Sequence, residues 1–432
     1  MALHAGVNRR ASAKIRLRRA LAILGPGLIT GASDDDPSGI ATYAMAGASL
    51  GFSTLWTALV TFPMMATIQF ICAKIAMVSG RGLAGVLRRH YARPVLYLAV
   101  AGLVAANTIN VGADLGGVAD ALSLLVPLRP IVMIVPVAAA ILALQVWGSY
   151  RLIARIFKWL TLALLAYVGA AVLAKPDPLA VLAGTFVPTI RLDGQSLATL
   201  VALLGTTISP YLFFWQASQE VEEEHALGRR TVRQREGATR TELAHRLWDV
   251  TAGMALSNAV MYFIILAAAA TLFRSGTTDI ETAADAAQAL RPLAGGAATV
   301  LFALGLIGSG LLAIPILSGS AAYALAEGCG WRSGLDERPW RAMRFYVVIA
   351  VSTTIGVAMN FLGWKAMSAL FWTAVINGCL APPLLVAVMV IANNRTIMKA
   401  DTIGWRLNLV GWLTTAVMFA AAIGLAATWS RS

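Results

Sequence analysis

The chain has 432 residues, of which 58% are apolar and only 13% charged, and it carries a formal net charge of +13. A soluble globular domain is about 45–50% apolar and about 25% charged, so a mean hydropathy of +0.73 excludes that class and indicates a polytopic protein solvated by a lipid bilayer. The basic excess does not point to nucleic acid, because the Lys and Arg residues lie in short segments between apolar runs, where membrane topology accounts for them.

The N-terminal segment 1–20 holds Arg9, Arg10, Lys14, Arg16, Arg18 and Arg19 ahead of an apolar run. The pattern is that of a secretory leader with a cleavage point at GAS. However, GPG interrupts the run and apolar sequence resumes beyond it, so it is read as a retained span. Runs of membrane-crossing length, about 20 residues, follow one another at 21–50, 52–78, 94–124, 129–148, 153–174, 197–222, 248–273, 293–326, 343–362, 366–392 and 405–428. This predicts an all-α protein of about eleven spans.

The loops support the count. With the N-terminus in the cytoplasm, one set carries Arg81, Arg88, Arg89, Arg93, Arg151, Arg155, Lys158, the run from Arg229 to Arg246, the group from Arg332 to Arg344, and Arg395, Lys399 and Arg406. The opposite set carries only Arg129, Lys175, Arg191, Arg274, Arg291, Lys365 and Arg431. That asymmetry places the N-terminus inside and the C-terminus outside a plasma (inner) membrane. The acidic end of the sixth span, QEVEEE, reads as a solvated helix end or as part of a cation exit path.

Two spans are broken by proline. The first reads GASDDDPSGI and the sixth reads GTTISPYLFFWQ. The breaks lie five spans apart, an odd offset, so the two broken spans run in opposite directions. Paired breaks of this kind indicate an inverted repeat with a binding site at the bilayer midplane. The repeats would be 21–174 and 197–392, with 405–428 outside them.

An aspartate at a span centre costs roughly 2.5–3.5 kcal/mol, so Asp34, Asp35 and Asp36 must face water, a cation or the interface. Pro37 disfavours helix at Asp36 and removes a donor. The half-helix before it ends in unsatisfied carbonyls, and carbonyls with a carboxylate suit a hard cation. Asp36, at the break, is the primary candidate. Asp34 and Asp35 have two readings, direct ligation or an acidic turn and funnel. In the sixth span Pro210 frees carbonyls near Thr206 and Thr207, and Ser209 and Tyr211 place hydroxyls beside the break. Asp114 reads as a proton relay or as an interhelical hydrogen bond to Asn107 or Asn110. Asn258 and Asn377 are lone polar groups that read first as interhelical contacts, with Asn377 kept as a weaker candidate ligand. Cys72, Cys329 and Cys379 form no CxxC pair, so no disulfide framework, thiolate site or cofactor is indicated. None of the four histidines lies in a span core, which argues against a membrane-embedded metalloenzyme.

GPGLITGASDDDPSGIATYAMAG resembles the first span of Nramp divalent-metal transporters, whose motif there is DPGN. The likeness continues through IQFICAKIAMVSGRGLAGVLRRHY, ADLGGVADAL and GTTISPYLFFWQAS, where the family motif is MPH, and covers about 20 to 390. The resemblance implies a LeuT-type fold of five plus five spans, with helices 1 and 6 unwound at the midplane. It also implies metal binding at Asp36 and backbone carbonyls of Ser33 and Thr206 facing the metal. Gly39 stands where the family has an asparagine ligand, Ser209 where it has methionine, and Tyr211 where it has histidine. Asp114 matches the acid of the family's proton pathway, and Gly117 stands where a glutamate follows. Without the thioether the site is oxygen-lined, which favours Mg²⁺ or Mn²⁺. Without the asparagine and methionine side chains it is expected to be larger. The sequence is therefore similar to the divergent Nramp-related branch that includes magnesium transporters. The expected partners are Mn²⁺ or Mg²⁺, with Fe²⁺ a further candidate, and protons if Asp114 relays them. The alternative is a sodium-coupled symporter of amino acids or other small organic substrates on the same fold. Nothing in the sequence indicates an oligomeric state.

Overall fold

The computed structural model describes residues 26–147, 162–335 and 337–429. The basic N-terminus, the start of the first and fifth apolar runs, Arg151, Arg155, Lys158 and Arg431 lie outside the described residues.

The first span is two half-helices, α1 (Pro26–Asp34) and α2 (Pro37–Leu50). Asp36 between them is extended (φ −71°, ψ 169°), as a residue before proline should be. Pro37 then occupies the first turn of α2, where its missing N–H costs nothing. Next come α3 (Trp56–Ser79), the short amphipathic α4 (Leu83–His90), α5 (Arg93–Ser123) and α6 (Pro130–Trp147). Of the fifth expected span, α7 (Ala166–Leu173) is described. A short helix α8 (Pro178–Phe186), absent from the sequence expectation, follows and is capped by Asp177. The sixth span is again divided, into α9 (Gly194–Thr207) and α10 (Pro210–Ala226).

The seventh span, α11 (Arg240–Ala268), begins eight residues before the apolar run, because its start is set by polar chemistry. Thr239 and Glu242 form a reciprocal capping box there, which satisfies amide donors that no hydropathy scan registers. The last four long helices are α12 (Ala298–Cys329), α13 (Met343–Asn360), α14 (Ala366–Asn393) and α15 (Trp405–Trp429). Among the described residues, nine helical segments are long and apolar enough to cross a membrane. The divided first span and the partly described fifth account for the remaining two of the expected eleven.

The half-helices sit at the centre of the bundle. α1 packs on α11 and α10, α2 on α11 and α14, α9 on α14, and α5 on α12, α13 and α14. Small residues let backbones approach, as is usual where lipid gives no hydrophobic drive. A Cβ at Gly31 would strike the Gly253 backbone, and one at Gly205 would strike the Ala374 carbonyl. Asn258 makes the expected interhelical contact, donating to the Ala58 carbonyl at 2.7 Å and accepting from Thr61 at 3.1 Å.

Candidate metal site

The two breaks meet in the core. Tyr211, in the first turn of α10, donates its hydroxyl to the Ser33 carbonyl at the end of α1 (2.9 Å) and lies 3.4 Å from Asp36 Oδ2. Asp36 uses its two oxygens differently. Oδ1 caps α2, accepting from the Gly39 amide and the Ser38 hydroxyl, each at 2.7 Å. Oδ2 faces across the break, toward Tyr211 and toward Asn110 Nδ2 of α5 at 3.2 Å. One oxygen of this carboxylate thus caps the helix and the other faces the break.

On the sixth span, the Ser209 hydroxyl turns back to the end of α9, bonding the Gly205 carbonyl at 2.8 Å and the Thr206 carbonyl at 2.7 Å. The carbonyl freed by Pro210 therefore has a local donor. Ser33 does likewise on α1, toward Ile29 and Thr30. The expected enlargement beside Gly39 is not found. A Cβ there would lie 2.9 Å from Thr206 Oγ1, so the threonine hydroxyl takes the space that an asparagine would need. Accordingly, Gly39→Asn is expected to destabilise the protein by about 1–3 kcal/mol, the usual cost of overpacking. Gly39→Asn with Thr206→Ala should recover much of the loss, as thermal unfolding of the two proteins would show.

Asp36, Ser33, Thr206, Ser209, Gly39 and Tyr211 are thus brought together. All are buried, and the donor atoms among them are oxygens. Asp114 lies on α5 and is fully buried, with Asp36 as an electrostatic neighbour. Neither of its oxygens has a partner of ordinary hydrogen-bond geometry, though the Ser38 amide is close enough to act on it. The expected pairing with Asn107 or Asn110 is not made. Asn107 donates to the Leu317 carbonyl of α12 and Asn110 to Asp36. Asn377 is buried on α14 but is not among the donors to Asp36. Asp34 and Asp35 point to Ser257 of α11, which the sequence reading missed because a lone serine in an apolar helix carries no signal.

QEVEEE is not a solvated end. Glu220 is 2% exposed and ion-paired at 2.8 Å to Arg246, which also pairs with Glu223 and, at 2.8 Å, with Asp249. Asp249 accepts from the Gly27 amide at 2.8 Å, and Gln216 links Thr30 to Glu220. The start of α1 is thereby tied to α10 and α11. Among the described residues, no group of three or more His, Cys, Asp or Glu is arranged to hold a metal.

The profile of the family described as "Natural resistance-associated macrophage protein-like" (Nramp) matches residues 27–428. The divalent metal cation transporter MntH of Deinococcus radiodurans is 30% identical over 428 residues, 96% of this chain and 92% of that protein. The manganese transporter of Eremococcus coleocola superposes with a TM-score of 0.76 at 17% identity, over 95% of this chain and 87% of that one. Mhp1, a nucleobase-cation-symport-1 family transporter, superposes at 0.57 with 14% identity, over 94% of this chain and 90% of its own. These two likenesses establish the LeuT-type fold, and the family match with its MntH relative makes the chain a membrane transporter rather than an enzyme. With its paired breaks, the aspartate buried between two half-helices and a family match over nearly its whole length, the chain belongs to the Nramp family.

Proposed function

We propose that the protein is a secondary transporter that carries divalent metal cations into the cell by alternating access, with Mn²⁺ and Mg²⁺ as its substrates. One observation carries the reading. Asp36 Oδ2 stands at the meeting point of two broken helices, with carbonyl and hydroxyl oxygens around it, and no ion pair among the described residues includes Asp36. A carboxylate without an ion-pair partner, beside hydroxyl and carbonyl oxygens, suits a hard cation that must also leave. The names borne by the MntH relative and the Eremococcus protein support a divalent-metal substrate. The absence of a thioether at Ser209 favours oxygen-preferring ions.

The loop charges support a cytoplasmic N-terminus in the plasma membrane. The repeats 21–174 and 197–392 would rock about the site, with 405–428 outside the repeat. An organic-substrate symporter shares the fold, but an amino-acid carboxylate would there meet buried aspartates that no ion pair among the described residues includes.

The test is Mn²⁺ uptake into proteoliposomes under competition. Mg²⁺ should inhibit with an affinity within about tenfold of Mn²⁺, and Cd²⁺ should gain no advantage from its softness. Preference for Cd²⁺ with no effect of Mg²⁺ would overturn the oxygen-lined reading. Proton flux recorded alongside decides coupling. A flux matching the metal and lost in Asp114→Asn assigns the route to α5, and the absence of flux makes transport uncoupled.

A further inference from the structure

A side chain from outside the two broken spans reaches their junction. Asn110, on α5, is fully buried and donates from Nδ2 to Asp36 Oδ2 at 3.2 Å. Its carbonyl oxygen, Oδ1, is also buried and has no hydrogen-bond partner among the described residues. A polar atom left unpaired in the interior carries the full desolvation penalty of its group. Asn107 and Gln145 likewise hold an unpaired amide oxygen, but their donor ends are bound to the Leu317 and Pro315 carbonyls of α12. Of these three amides, Asn110 is the one whose donor end lies on the carboxylate that faces the break. Asp114, four residues further along α5, shares its face of the helix and has Asp36 as an electrostatic neighbour.

The side chains of the broken spans leave few free acceptors there. Gly39 supplies none. Asp36 Oδ1 accepts from the Gly39 amide and the Ser38 hydroxyl, and the Ser209 hydroxyl is turned back onto the Gly205 and Thr206 carbonyls. Hard divalent ions of this size take about six oxygens, so a neutral oxygen from a third helix is of direct use. An amide has donors at one end and an acceptor at the other, and its terminal torsion is broad and roughly two-fold. A half-turn of the Asn110 amide therefore exchanges Nδ2 for Oδ1 beside Asp36 Oδ2. The turn gives up the bond to Asp36 and none at Oδ1, which has none to lose. A cation at Asp36 Oδ2 repels the N–H end and attracts the carbonyl end, so its arrival favours the turned form.

We propose that Asn110 is a ligand of the transported cation, binding it through Oδ1 beside Asp36, and that its lack of charge keeps the ion releasable. The inference rests on the reading of Asp36 as the cation site. Affinity for hard cations follows the charge of their ligands, and an ion in transit must be held weakly enough to leave. An amide adds an oxygen to the site without adding charge, and it makes α5 a wall of the site alongside the two broken spans.

The experiment titrates the full-length protein in detergent with Mn²⁺, read by electron paramagnetic resonance, on variants whose thermal unfolding matches the wild type. Asn110→Ala is expected to weaken binding about 10-fold or more, since loss of a merely orienting group already costs about that much. Asn110→Asp is expected to bind Mn²⁺ at least as tightly as the wild type and to release it more slowly in proteoliposome uptake. A residue that only held Asp36 through its N–H would give the opposite result, because Asn110→Asp replaces the donor with a second carboxylate and would weaken binding as Asn110→Ala does. That outcome, or unchanged affinity in Asn110→Ala, would overturn the proposal. Direct contact is read from protein labelled with ¹³C in the asparagine carboxamide. A coupling between Mn²⁺ and the label is expected in the wild type and not in Asn110→Asp. No coupling in the wild type, or one that persists in Asn110→Asp, would overturn the proposal even if Asn110→Ala fails to fold. Mn²⁺ binding that survives unchanged in Asp36→Asn would show instead that the reading of Asp36 is the one that fails.

Discussion

Asp36→Asn is expected to abolish metal uptake, by more than about 100-fold in initial rate, while the protein folds normally. The two carboxylate oxygens have separable duties. Oδ1 caps α2 through Gly39 and Ser38, and asparagine caps a helix about as well as aspartate. Oδ2, the oxygen that faces the break, becomes an amide or an uncharged carbonyl. Loss of a group that only orients a ligand typically costs about 10–100-fold in metal affinity, and loss of the carboxylate that itself faces the junction should exceed that. Asp36→Ala removes the cap as well, and should add about 1 kcal/mol of destabilisation. Uptake rates and thermal unfolding of both variants separate the two duties. An Asp36→Asn protein that transports within a few-fold of the wild type would exclude Asp36 as the metal ligand.

The second large effect is on stability. Arg246→Ala is expected to destabilise the protein by about 3–5 kcal/mol, the usual loss when one partner of a buried ion pair is removed. Arg246 is 11% exposed, and its partners Glu220 and Asp249 are 2% and 1% exposed, so water cannot replace the guanidinium. Glu223 is 41% exposed, and Glu223→Gln should cost less than about 1 kcal/mol. Denaturant unfolding of the purified variants measures the contrast. Equal losses would mean that the network is not held by its buried members. The same group ties Gly27 and Thr30 of α1, through Asp249 and Gln216, to α10 and α11. Arg246→Ala should therefore also raise the accessibility of α1 to a thiol reagent at an introduced cysteine.

What the sequence made legible was whatever proline, glycine and charge determine locally. The breaks at Asp36–Pro37 and Ser209–Pro210 follow from backbone chemistry, and the structure places both where the residues require. The limits of the long helices followed from hydropathy to within a few residues, except at α11, whose polar first turns are held by a capping box and by Arg246. What stayed hidden depends on tertiary register. Ser257 and Asn110 are ordinary residues in apolar helices until a neighbouring span brings an aspartate to them. Glu220 belongs to an acidic run that looks solvated, and only the packing of α11 against α10 supplies Arg246. Thr206 fills the space beside Gly39 for the same reason, because two half-helices distant in sequence share one junction.

The most direct test of the account is the position of bound manganese, read from the anomalous scattering of crystals grown with Mn²⁺. The account predicts a peak at the junction of α1, α2, α9 and α10, within about 2.0–2.6 Å of Asp36 Oδ2, the range for hard divalent ions. The peak should disappear in Asp36→Asn. Manganese bound elsewhere in the membrane core, with no density at Asp36, would contradict it.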